Sequence, residues 1–273
     1  MNWKKLFSRI PSLTAAEGRK LVDSRAPDDL QVLDVRQPGE YEAGHLPGAR
    51  LIPLKELSER QGELNPQQPV LVYCAVGGRS RAAAQYLNGQ GFKEVYNLAG
   101  GIKAWEGGQA AGPEDVGLEL LPPGAEYDEA AALAFAMEEG LQRFYLNLAE
   151  RSGDSSLRRL YQRLADLEDV HKERLSREYQ EKTGRFLDDG GHQGVIEGGR
   201  IMAEFVADNP AAVLEQAMGL EFQAQDLYQR LAHQSEVADT RELFLGLAAE
   251  EKEHLALLAR EFDQARTTRG DEG

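Results

Sequence analysis

Apolar positions along the chain follow two rhythms, and the change falls near residue 107. Before it, short apolar runs alternate with glycine- and proline-marked stretches. Leu30 to Val35, Arg50 to Ile52, Pro69 to Tyr73 and Val95 to Leu98 read as strands. Thr14, with Glu17 three residues on, marks a capped helix start, and Arg79 to Gln90 reads as a further helix. Strands alternating with helices predict a mostly parallel α/β sheet, with Val70 to Tyr73 central and the active loops at the carboxyl ends of the strands.

After residue 107 the strand signals cease. Gly107 to Pro113 and Pro122-Pro123-Gly124 read as a linker, 107–126, between a first domain at 1–106 and a second at 127–273. Helical periodicity then runs over Asp128 to Arg151, Ser155 to Thr183, Pro210 to Gln234 and Thr240 to Arg266, which predicts an all-α four-helix bundle. Asp128, Ser155 and Asn209 are the expected caps, Gly184 to Gly191 breaks the second helix, and Val195 to Val206 reads as a short crossover helix.

An internal repeat reinforces the bundle. At an offset of 83 residues Glu138 meets Glu221, Tyr145 meets Tyr228, Glu168 meets Glu251 and His171 meets His254, with Leu148/Leu231, Leu160/Leu243, Leu164/Leu247 and Ala165/Ala248 in the same register. Two similar helix hairpins, packed together, make a pseudo-twofold bundle.

Charge separates the halves further. Residues 1–108 carry 14 Lys+Arg against 12 Asp+Glu, whereas 109–273 carry 17 against 34, so +2 and −17 make up the net −15. That balance disfavours nucleic acid as a partner. No apolar stretch is long enough for a membrane span, and one cysteine among 273 residues forms no intrachain disulfide, so a reducing cytoplasm is expected.

That cysteine lies in Tyr73-Cys74-Ala75-Val76-Gly77-Gly78-Arg79-Ser80. Glycines permit torsions other residues avoid, and Ser80 can cap the following helix. Cys74 is therefore expected at a strand end, facing a helix N-terminus, where inward N–H groups lower a thiol pKa and hold an anion. A buried structural cysteine needs neither the glycines nor the arginine. The C-x4-R spacing, with Leu33-Asp34-Val35-Arg36, Gly44-His45-Leu46-Pro47-Gly48-Ala49 and Ala99-Gly100-Gly101-Ile102-Lys103-Ala104-Trp105 in that order, resembles the rhodanese sulfurtransferases over 12–107.

The resemblance implies that Cys74 forms a persulfide with a donor such as thiosulfate, inside a loop of Ala75, Val76, Gly77, Gly78 and Ser80 that Arg79 closes and that Asp34 and Arg36 brace. It also implies small sulfur-containing anions or thiols as partners. A histidine in a turn is more often a hydrogen-bonded structural group, so His45 stays outside the catalytic set.

In the second half, Glu168-x-x-His171 and Glu251-x-x-His254 each put a carboxylate and an imidazole on one helical face. Glu138 and Glu221 complete four carboxylates and two imidazoles, a set that suits iron or manganese rather than a soft metal. Without a cation, carboxylates packed among Leu and Ala would repel one another. Residues 128–266 resemble the rubrerythrin branch of the ferritin-like family, which implies two iron ions, or manganese, on Glu138, Glu168, His171, Glu221, Glu251 and His254, with no organic cofactor. Leu141 and Ala224 stand where rubrerythrins carry an extra Glu, and the four cysteines of their rubredoxin-like module are absent, so electrons would come from an external donor.

The sequence thus predicts a sulfurtransferase fused to a redox-active di-metal bundle, expected as a homodimer. The alternatives are a peroxide- or O2-reducing di-iron protein, and a non-enzymatic iron sensor or store joined to a sulfur carrier.

Overall fold

A computed structural model of the chain describes residues 10–187 and 210–270. The expected crossover helix at 195–206 and the Asn209 cap lie outside the described residues. The chain divides into two compact units, one built on a sheet and its helices together with Phe222–Arg230 and Leu247–Lys252, the other on the rest of the long helices.

The sheet elements are β1 (Ser12–Leu13), β2 (Gln31–Asp34), β3 (Arg50–Leu51), β4 (Val70–Tyr73) and β5 (Val95–Leu98), interleaved with α1 (Ala15–Asp23), α2 (Pro38–Glu42), α3 (Leu57–Arg60) and α4 (Gly78–Gln90). Every strand pair is parallel, in the order β1-β5-β4-β2-β3, so Val70–Tyr73 is central as expected. Its four residues are all buried, as its continuous apolar run requires of a strand covered on both faces. One core gathers Leu33, Val35, Val72, Cys74, Ala83 and Leu87, and another gathers Tyr41, Leu46, Leu71, Tyr73 and Leu98. The capping box at α1 forms as the sequence indicates: Glu17 N–H donates to Thr14 Oγ1, and Thr14 N–H donates to Glu17 Oε2.

The long helices are α5 (Tyr127–Arg151), α6 (Ser155–Thr183), α7 (Pro210–Gln234) and α8 (Ala238–Gly270). Tyr145, Ala149, Leu157, Leu160, Leu164, Val213, Leu214, Ala217 and Leu258 form one core drawn from all four helices. Two caps differ from expectation. Glu126, not Asp128, caps α5 through a capping box with Glu129, and Asp154, not Ser155, caps α6 by accepting from Ser156 and Leu157 N–H. In both places an acidic residue just upstream has the extended backbone that a cap needs. Asp128 instead accepts from Tyr179 and Arg185.

Candidate active site and metal centre

β4 ends at Tyr73 and α4 begins at Gly78, so Cys74 lies in the short loop between a strand end and a helix N-terminus. The helix N-cap is Gly77, at φ 92° and ψ −6°, a left-handed conformation that a side chain resists. Ser80 therefore sits inside the first turn rather than at the cap. A one-turn helix, Gly101–Ala104, backs the loop: Ile102 N–H donates to the Cys74 carbonyl at 2.8 Å and Lys103 N–H to the Ala75 carbonyl at 3.2 Å. Because a trans peptide points its C=O and N–H oppositely, these bonds turn the Ala75 and Val76 N–H groups inward. Gly101 makes that approach possible, since a Cβ there would stand 2.2 Å from the Cys74 carbonyl oxygen.

Within the cradle, Gly77 N–H donates to Cys74 Sγ at 3.1 Å, and Ser80 Oγ lies 3.4 Å from it. Burial pushes the thiol pKa up. The Ser80 hydroxyl and the N–H groups of Ser80, Val76 and Gly77 outweigh that effect and hold it below its ordinary value. Ser80 Oγ also donates to Asn97 Oδ1 at 2.6 Å, and Asn97 Nδ2 donates to Ser12 Oγ at 3.1 Å. One hydroxyl proton thus serves two acceptors, and ionisation of Cys74 draws it toward sulfur. Ser80→Ala is expected to move the acid limb of the kcat/KM profile to higher pH, with a smaller change at the alkaline plateau. A limb left in place would show that Ser80 does not stabilise the thiolate.

Arg79 sits at the rim and makes a two-pronged ion pair with Glu40, at 2.7 and 2.8 Å. Sequence reading missed Glu40, an acidic residue just beyond the carboxyl end of the neighbouring parallel strand. Asp34 and Arg36 are buried and pair with each other, while Arg36 also donates to the Gly44 carbonyl at 2.6 Å and lies 5.5 Å from the Tyr73 ring centroid. They reach the loop through Tyr73, which pairs in register with Asp34. His45 stacks on Tyr41 with 3.6 Å between centroids, and its Nδ1 lies 3.0 Å from the Tyr41 carbonyl oxygen, the stacked and hydrogen-bonded setting of a structural histidine.

On the long helices two groups of side chains offer ligand atoms within 4.8 Å of one another: Glu138, Glu168 and His171, and Glu221, Glu251 and His254. Five of the six are buried and His254 is half-buried. His171 Nδ1 lies 3.0 Å from Glu138 Oε2 and 3.6 Å from Glu168 Oε2. Its Nε2 lies 2.9 Å from Nε2 of His254, its repeat mate.

Burial and the nearby Glu221 carboxylate push the Glu168 pKa well above its usual value. Burial opposes charge on His171, but Glu138 and Glu168 prevail and push it up to about 10, while burial and His171 push His254 down to about 4. Four buried carboxylates thus face two imidazoles, and the buried His254 Nδ1 has no hydrogen-bond partner. Oxygen and nitrogen lone pairs aimed at one another in a dry interior fit divalent iron or manganese.

A model of the rhodanese-like domain family matches residues 14–107, and a model of the rubrerythrin family matches residues 212–272. YqhL, an uncharacterized protein of Bacillus subtilis, is 49% identical over 77 residues, which are 28% of this chain and 61% of that one. The chain thus spans less than two thirds of YqhL. The thiosulfate sulfurtransferase GlpE of Pseudoalteromonas translucida is 35% identical over 94 residues, 34% of this chain and 87% of GlpE. A crystal structure of a rhodanese-like domain protein from Staphylococcus aureus matches at 31% identity and a TM-score of 0.34, covering 37% of this chain and 98% of that one. The chain belongs to the rhodanese-like family through its first unit, a sulfurtransferase-type domain, and joins it to a rubrerythrin domain.

Proposed function

We propose that the chain transfers sulfane sulfur through a persulfide on Cys74. The observation that carries this reading is Cys74 Sγ held by the Gly77 N–H and the Ser80 hydroxyl above the start of α4. The thiolate attacks the outer sulfur of a donor such as thiosulfate. A new S–S bond forms, the donor's S–S bond breaks, and sulfite leaves with the electron pair. The inward N–H groups of Ala75, Val76 and Gly77 and the helix N-terminus hold the terminal sulfur anion, which an acceptor thiolate then attacks to restore Cys74. Asp34 and Arg36 hold Tyr73 and so the base of the loop, while Arg79 faces the incoming anion. Arg79→Ala removes that charge and leaves the Glu40 carboxylate uncompensated at the rim, so it is expected to raise the KM for thiosulfate on the order of tenfold. An unchanged KM would remove Arg79 from donor binding.

For the second half we propose domain limits of 127–273, joined through the linker 107–126 to 1–106. Glu138, Glu168 and His171 would hold one iron or manganese ion, and Glu221, Glu251 and His254 a second. The ions, when bound, would supply one-electron steps toward peroxide or O2, fed by an external donor. Glu138 and Glu168 orient His171 through Nδ1, and the burial of all three keeps bulk water from them. A cytoplasmic homodimer is the proposed state. Among the described residues no helix is long and apolar enough to cross a membrane.

Sulfur transfer and peroxide consumption, each assayed with and without bound metal, separate these readings. Transfer independent of metal supports the sulfurtransferase, and metal-dependent peroxide consumption supports the redox bundle. Metal uptake without turnover would leave the bundle a store or sensor, and absence of transfer under both conditions would refute the first reading.

A further inference from the structure

We propose that Glu40 sets the donor preference of the Cys74 site, cancelling the charge of Arg79 so that an organic persulfide with at most one negative charge is used in preference to the thiosulfate dianion. The inference rests on the sulfurtransferase reading above and names the substrate class of that site.

Three observations carry it. First, the closest donors to Cys74 Sγ are neutral dipoles, the Gly77 N–H at 3.1 Å and the Ser80 hydroxyl at 3.4 Å, and the Arg79 guanidinium, which also bears on the sulfur, is the charge that Glu40 matches. Second, the guanidinium at the rim is engaged on both prongs by Glu40, at 2.7 and 2.8 Å, a geometry that fixes the arginine and matches its charge. Arg79 holds the Glu40 carboxyl down at about 2, so the pair is fully ionised at neutral pH. Third, two side chains of the loop itself are apolar and reach solvent: Ala75 is half-buried and Val76 is 62% exposed.

Thiolate, guanidinium and carboxylate sum to one negative charge, so a dianion approaches against net repulsion. A persulfide carrying a small organic group meets less repulsion and lays its carbon chain on Ala75 and Val76. The step balances as Cys74–S⁻ plus R–S–SH giving Cys74–S–SH plus R–S⁻. One S–S bond forms and one breaks, the electron pair leaves on the donor thiolate, and no external oxidant or reductant enters.

The test follows formation of the Cys74 persulfide in the full chain by mass spectrometry in single turnover, with thiosulfate and with the persulfide of 2-mercaptoethanol as donors. Glu40→Gln keeps the shape and frees the Arg79 charge. It is expected to raise the second-order rate constant for thiosulfate by roughly tenfold, as steering by one added net charge does, and to leave that for the organic persulfide within about twofold. In the unmodified protein the thiosulfate rate constant should rise with ionic strength, because salt screens repulsion; this measurement needs no variant.

A Glu40→Gln rate constant for thiosulfate that is unchanged or lower, an equal gain with both donors, or a wild-type thiosulfate rate that falls with salt would each overturn the inference. If the wild-type protein forms no Cys74 persulfide with either donor, the sulfurtransferase reading fails first and takes this inference with it.

Discussion

Cys74→Ser is expected to abolish sulfur transfer while leaving the fold and metal content of the chain unchanged. Cys74 is the one cysteine in the sequence, so no other thiol can carry the sulfur. Sulfur and oxygen differ little in size, and Cys74 is packed among Val72, Ala83 and Leu87 in a core that a serine can enter without a cavity. The hydroxyl would keep contact with the Gly77 N–H and Ser80 but is neither ionised near neutral pH nor able to form a persulfide. Removal of a nucleophile costs at least about a thousandfold in turnover. Steady-state transfer to cyanide or a thiol measures this, and transfer above background in the variant would show that the sulfur travels by a route without Cys74.

The second large effect concerns the metal centre. Binding of ions by Glu138, Glu168, His171, Glu221, Glu251 and His254 would stabilise the helical unit by linkage, because the folded state assembles ligands that the unfolded chain disperses. At about a hundredfold excess of free metal over its Kd that stabilisation is about 2.7 kcal/mol, and a domain of this size shifts by about 2–4 °C per kcal/mol. Metal should therefore raise the melting temperature by roughly 5–10 °C. Glu138→Ala and Glu221→Ala are each expected to lose most of that gain and to lower metal content, whereas Cys74→Ser loses neither.

In the apo protein the two variants should part. Glu221 is a neighbour whose charge raises the Glu168 pKa, so Glu221→Ala relieves repulsion and should match or exceed the apo wild type in stability. Glu138 instead contacts His171 at 3.0 Å, and Glu138→Ala loses that contact. Metal analysis and thermal unfolding, with and without ferrous or manganous ion added anaerobically, check both. Less than about one ion per chain together with an unmoved melting temperature would refute the di-metal reading.

The features legible in the sequence are those written in local pattern. Val70 to Tyr73 is a continuous apolar run and Gly77 follows four residues after Tyr73, so strand, turn and helix could be read directly around Cys74. The 83-residue repeat likewise placed His171 and His254 in equivalent positions, and the structure brings their Nε2 atoms to 2.9 Å. The rubrerythrin family model covers only 212–272, so for Glu138, Glu168 and His171 the repeat is the stronger sequence signal.

What the sequence hid depends on contacts between distant residues. Arg79 and Glu40 are 39 residues apart, and Ser80 and Asn97 are 17 apart. Each pair meets because parallel strands put their carboxyl ends on one edge of the sheet, a fact of topology that no local spacing reports. Gly101 was legible as part of a family signature, yet its role in backing the Cys74 carbonyl appears only once β4 and the turn after β5 are side by side. The two-residue strand Ser12–Leu13 is too short to carry a period, and its pairing comes from the neighbouring strand Val95–Leu98.

The most direct measurement of the central claim is the mass of the peptide containing Cys74 after the protein has been incubated with a sulfane donor and freed of excess reagent. The account predicts a gain of one sulfur atom on Cys74, lost again on addition of cyanide or an acceptor thiol, with the product recovered in equal amount. An unmodified Cys74 in a preparation that nonetheless turns over the donor would contradict it.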